Sequence, residues 1–241
     1  MQPRAAIIGL VLLTLLWQAA FAGSGGPDVA PADRAALCAL LAENGGIVVC
    51  QEAARTNPGN VAVQRDLAKS FIAIGDFDSA VEVYQTLAAA HPDDAQAQAD
   101  LGGALGFVRR YVEAVEPMET VMRLNPDDIT AYRSSAVVYL QLGRAADAVR
   151  VTRKAAGLGD AIAMFDLFGF YRDGVGVAAD ERQAVAWAER AADNGHLGAL
   201  DLMVRVHLEG LMGVAVNEDK AKAWAWKFRN TRLGRGAAPQ R

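Results

Sequence analysis

The sequence predicts an all-α chain, an α-solenoid of stacked helix-turn-helix repeats, and three observations carry that prediction. Asn57-Pro58, His91-Pro92 and Asn125-Pro126 recur at intervals of 34 residues, the length of a helix-turn-helix repeat and a period that marks stacked-repeat architectures. Between the prolines the apolar residues fall at helical spacing, Leu67, Phe71 and Ile74 in one arm and Ala80, Tyr84 and Leu87 in the next. Beyond Gly157 a second, longer pattern begins and is repeated once.

Taken in order, residues 1–22 read as a signal peptide. Arg4 is followed by an apolar run from Ala5 to Trp17 and by the small-residue sequence Ala20-Phe21-Ala22, the order that an export signal and its cleavage site require. That run is about 13 residues, short of the roughly 20 needed to cross a bilayer, so cleavage after Ala22 is expected, with no stable membrane insertion afterwards, and an uncleaved anchor is the alternative. The expected location is periplasmic or secreted. Loss of residues 1–22 leaves 23 basic residues against 28 acidic ones. This mild acidity excludes nucleic acid as a partner, because phosphate binding needs clustered Lys and Arg.

Residues 23–58 are expected to form a capping hairpin. Ala53 and Pro58 keep the register of the later repeats, whereas Asp33 and Arg34 stand where small or apolar residues belong, as on the solvent-facing end of a repeat array. Cys38 and Cys50, the two cysteines of the chain, lie equally far from Asn44, the first residue of the Asn44-Gly45-Gly46 turn. In an antiparallel helix pair that symmetry sets them at one height, which a disulfide requires, and export permits oxidation. A structural disulfide is expected, worth about 3 kcal/mol for so short a loop.

Residues 59–160 hold the regular repeats. After the arms already given come Leu101, Leu105 and Val108, then Tyr111, Ala114, Met118 and Val121, and in the third unit Tyr132, Tyr139 and Leu142, then Ala148. Gly75-Asp76, Arg109-Arg110 and Gly143-Arg144 supply the turns within the units. The small residues Ala68, Gly102 and Ala136 in the first helices, Ala80, Ala114 and Ala148 in the second, and the closing prolines together resemble the tetratricopeptide repeat family. Small residues let helices approach, bulky ones fill the gaps, and proline ends the second helix. The resemblance implies a right-handed solenoid.

Residues 161–230 change period. Ala163, Tyr171, Gly174-Val175-Gly176-Val177, Asp180, Ala184 and Trp187 recur as Ala199, His207, Gly210, Gly213-Val214, Asn217, Ala221 and Trp224, 36 residues on before the loop and 37 after it. This resembles the Sel-one-like repeat, a longer relative of the tetratricopeptide hairpin. The second copy departs from the pattern at Val206-His207. Residues 231–241 form a basic tail expected to be flexible.

Residues that suggest chemistry have plainer explanations. Gly174-Val175-Gly176 lacks the preceding strand and the Lys-Ser or Lys-Thr pair of a phosphate loop, and its glycines fit a backbone conformation closed to residues bearing a Cβ. Asp93-Asp94, Asp127-Asp128, Asp180-Glu181 and Glu218-Asp219 stand at expected helix starts, where negative charge is favoured by about 0.3 to 1 kcal/mol. His91, His196 and His207 are scattered and show no metal-binding spacing. No catalytic, metal or cofactor residue is assigned, and the chain is expected not to be an enzyme.

Solenoids bind along the face lined by the first helix of each unit. The tetratricopeptide register puts Arg65, Lys69 and Ile72 on that face, then Gln96, Asp100 and Phe107, then Thr130, Arg133 and Val137. Arg65, Lys69 and Arg133 could pair with carboxylates of a peptide, although Asp100 would repel an acidic tail. The function expected is an exported scaffold or regulatory adaptor in the bacterial cell envelope that binds a partner protein or peptide. The rivals are a hydrolase of the penicillin-binding or lactamase kind, for which a Ser-x-x-Lys nucleophile is missing, and a self-assembling structural factor.

Overall fold

The computed structural model describes residues 31–44 and 46–234. The expected signal peptide lies outside the described residues, as does the tail from Arg235 onward. Among the described residues the structure is helical, with twelve α-helices and one 3-10 turn at Ala42–Asn44. They fall into two compact units that divide after Gly75.

The first unit holds α1 (Pro31–Leu41), α2 (Ile47–Thr56) and α3 (Val61–Ala73). α1 packs on α2, and α3 lies against both. Cys38, Ala42, Cys50, Ala53, Val63, Leu67 and Ala68 are buried between them. Cys38 and Cys50 are joined by a disulfide with their Cα atoms 4.6 Å apart, so the symmetric spacing about the turn does place them opposite one another. Arg34 departs from the picture of a purely solvent-facing end. It is half-buried and donates a 2.9 Å hydrogen bond to Glu52 Oε1, tying α1 to α2.

The second unit runs α4 (Phe77–Ala90), α5 (Ala95–Phe107), α6 (Tyr111–Leu124), α7 (Ile129–Gln141), α8 (Ala145–Gly157), α9 (Ala161–Asp173), α10 (Glu181–Asp193), α11 (Leu197–Glu209) and α12 (Glu218–Arg232). Each helix packs on the next along the chain, the nearest-neighbour organisation of an α-solenoid. α12 continues two residues into the segment read as a flexible tail.

Local chemistry explains the punctuation. Asn57, His91 and Asn125 are the C-caps of α2, α4 and α6, and the proline after each stops the helix because it has no N–H to donate. In three of the four acidic pairs at helix starts one residue is the N-cap, whereas Asn217 caps α12 ahead of Glu218-Asp219. Asp94, Asp128 and Asp180 accept backbone N–H groups from Gln96, Ala131 and Gln183 respectively, satisfying donors that a helix start leaves free. Packing follows the small residues. Ala114, Ala148, Ala184 and Ala221 are buried in the second helices, and a Cβ on Gly102 would come within 2.9 Å of Met118 Cγ. The continuous core runs from Tyr132 through Leu167 and Leu200 to Trp224, so the tetratricopeptide-like and Sel-one-like segments share one interior.

Candidate binding groove

Within the second unit, α7 and α9 are the first helices of consecutive repeats, and they flank a groove of about 760 Å³. From α7 come Thr130, Arg133, Ser134, Val137 and Leu140, and from α9 come Phe165, Asp166, Gly169, Phe170, Arg172 and Asp173. Val137 and Leu140 are 56% and 38% exposed. Buried Ala136, Thr152 and Phe168 also line it. The Thr152 hydroxyl is buried and has no hydrogen-bond partner.

The aromatic wall is stacked. Phe165 lies 5.3 Å from Phe168 and 4.4 Å from the His196 ring, centroid to centroid, both close to parallel. His196 is held because it is the N-cap of α11, where its Nδ1 accepts the N–H of Ala199 at 3.1 Å. That bond requires Nδ1 to be unprotonated. Burial lowers the imidazole below its ordinary pKa, against a smaller opposite pull from Asp166 and Asp160.

The charges are unevenly matched. Arg172 donates two hydrogen bonds to Asp173, 2.7 and 2.6 Å long, and its guanidinium lies 5.1 Å from the Phe168 centroid. Those two residues neutralise each other. Arg133 faces two carboxylates. Its Nε lies 3.5 Å from Asp160 Oδ2, an ion pair too long and misaligned to count as a hydrogen bond, so that buried oxygen has no hydrogen-bond donor. Asp160 Oδ1 caps α9 by accepting the Ile162 N–H at 3.1 Å. Asp166 is an exposed residue of the groove whose carboxyl is partly desolvated. Burial raises its carboxyl above the ordinary value, Arg133 lowers it, and Asp160 pushes it up again.

The binding-face residues expected from the sequence are distributed as follows. Arg65 and Lys69 lie on α3 in the first unit, where Lys69 is exposed and 3.5 Å from Asp66. Gln96 and Asp100 face each other on α5 through a 2.9 Å hydrogen bond. Phe107 is 68% exposed, with its ring 4.7 Å from Phe77. Arg133 lies in the groove with Thr130 and Val137. The sequence reading missed the α9 wall, because the register was not carried past the change of period. An offset of 32 residues would have found it, since it takes Arg133 to Phe165, Ser134 to Asp166 and Val137 to Gly169.

Comparison with known proteins agrees with this architecture. The tetratricopeptide repeat family matches residues 44–101, and the Sel1 repeat family matches residues 161–196 and 197–225. No curated relative matches the chain. Among solved structures, a Sel1 repeat protein from Oxalobacter formigenes is 20% identical over 98% of both chains, with a TM-score of 0.52. MamA from Desulfovibrio magneticus RS-1 is 18% identical, covers 68% of this chain and 95% of its own, and has a TM-score of 0.55. Another MamA structure is 21% identical over 65% of this chain and 91% of its own, with a TM-score of 0.56. At these identities the likeness is one of fold. With helix pairs stacked in sequence and both repeat signatures matched, the chain is a tetratricopeptide repeat protein with C-terminal Sel1-like repeats.

Proposed function

We propose that this chain is an exported protein-binding scaffold or regulatory adaptor of the bacterial cell envelope, working without catalysis. The observation that carries the reading is the groove between α7 and α9, which leaves Val137, Leu140 and the Phe165 wall open beside polar groups. Apolar area with a few placed polar groups is how a protein surface gains both affinity and orientation. The repeats supply a rigid frame on which such a surface can be held. Export rests on the Arg4, apolar run and Ala20-Phe21-Ala22 sequence. Among the described residues no helix is long and apolar enough to cross a membrane.

The test is site-specific photo-crosslinking in the native host, with a benzophenone amino acid at Val137 in the groove or at Lys154, which is exposed on α8. Crosslinks to a different protein from position 137 and not from 154 support the reading. Equal products from both positions overturn the groove as the binding face, and products made only of this chain favour self-assembly. Periplasmic fractionation of the same cells tests the location, and recovery with the cytoplasmic fraction overturns it.

A further inference from the structure

The groove carries more than apolar surface, because its charge is not balanced by its own residues. Arg133 is the cation between Asp160 and Asp166, whereas Arg172 is committed to Asp173. The surroundings of the groove are therefore left with one negative charge in excess. Two features set this excess beside a shaped groove. The buried hydroxyl of Thr152, which lines the groove, lacks a hydrogen-bond partner, an omission that costs about 1 to 3 kcal/mol unless something supplies the bond, and Asp160 Oδ2 is held by Arg133 at 3.5 Å without a hydrogen bond. Gly169 sits in the middle of α9, where glycine costs roughly 0.5 to 1 kcal/mol against alanine, yet a Cβ there would meet nothing within 4 Å. Neither packing nor backbone conformation accounts for that glycine, while it does leave open space in the groove that Val137 and Phe165 also line.

Resting on the reading of this groove as a protein-binding face, we propose that its occupant is an extended peptide segment bearing an arginine or lysine next to an apolar side chain. The cation sits by Asp166 and Asp160, and the apolar side chain lies on Val137 and Phe165 in the space over Gly169. A guanidinium suits the place best. It can donate to more than one carboxylate oxygen at once, and its flat face can lie on an aromatic ring as Arg172 lies on Phe168. An acidic segment would find Arg133 already engaged and would be repelled by the remaining carboxylate.

The experiment is selection of a randomised dodecapeptide display library on the purified full chain, on Asp166→Asn and on Gly169→Leu, with each variant shown to be folded by circular dichroism. Gly169→Leu fills the open space with a good helix former, and Asp166→Asn removes charge with little change of shape. The expected outcome is enrichment of Arg or Lys beside aromatic or aliphatic residues and depletion of Asp and Glu. A synthetic peptide of the enriched sequence should lose about tenfold in affinity on Asp166→Asn, the scale of one charge-assisted hydrogen bond, and bind Gly169→Leu no better than a scrambled peptide. Acidic or charge-neutral enrichment that disappears in Gly169→Leu overturns the cationic occupant and leaves the binding face standing. The same holds if affinity for a basic peptide is unchanged by Asp166→Asn. Enrichment that survives Gly169→Leu, or none on any chain, overturns the groove itself.

Discussion

At the level of single residues, the repeat register exposes positions where one copy departs from the others. Gly75 and Gly143 have φ of 82° and 71° at the ends of their helices, and the residue in register between them is Arg109, at φ 63°. A side chain in this left-handed region costs roughly 1 to 2 kcal/mol that glycine does not incur. Arg109→Gly should therefore raise stability by about 1 kcal/mol in urea denaturation, and an unchanged or lower midpoint would show that the Arg109 side chain compensates locally. Gly176 is the opposite case. At φ 69° it packs so closely on α8 that a Cβ would collide with the backbone carbonyl of Ala145. Gly176→Ala should cost at least about 2 kcal/mol, from backbone strain and collision together. A melting temperature equal to that of the parent would count against this packing.

At the level of elements, caps and turns decide where each helix begins, and α11 begins on a titratable group. His196 serves as N-cap only while Nδ1 is neutral, and burial lowers its folded pKa below the ordinary value. The unfolded chain thus binds the proton more readily, so the contribution to stability is complete above about pH 6.5, the unfolded value. It is lost as pH falls through the lower, folded pKa. His207 is shifted in the same direction, by burial first and Lys220 second. Asp166, raised by burial, acts in the opposite sense at more acid pH. His196→Asn keeps a capping side chain without the titration. Its stability should fall less between pH 7.5 and 5.5 than that of the parent, and parallel curves for the two would remove His196 from the pH response. The α6 helix shows how tertiary packing overrides local preference. It continues through Pro117, which cannot donate to the preceding turn, and the buried ring is retained among its neighbours.

For the whole molecule, a stack stabilised between neighbours predicts that damage stays local. Cys38→Ser, or reduction of the parent, should speed amide exchange in α1 to α3 and leave α7 to α12 unaffected, as read by mass spectrometry. Faster exchange throughout would mean that stability is shared across the chain. The sequence by itself determined the all-helical repeat architecture, the turn positions, the change of period near Gly157 and the pairing of Cys38 with Cys50. These follow from periodicities and spacings that are local in the chain: proline at intervals of 34 residues, small residues where helices must approach, and two cysteines symmetric about one turn. It placed Arg133, Thr130 and Val137 on the first-helix face but did not reveal the groove. Only the tertiary structure decided that Phe165, Asp166 and Gly169 stand across from them, that Arg133 faces two carboxylates, and that Thr152 from α8 lies among them. The physical reason is that consensus residues encode packing between adjacent helices, whereas a binding surface is assembled from variable positions in different repeats, which come together only when the stack forms.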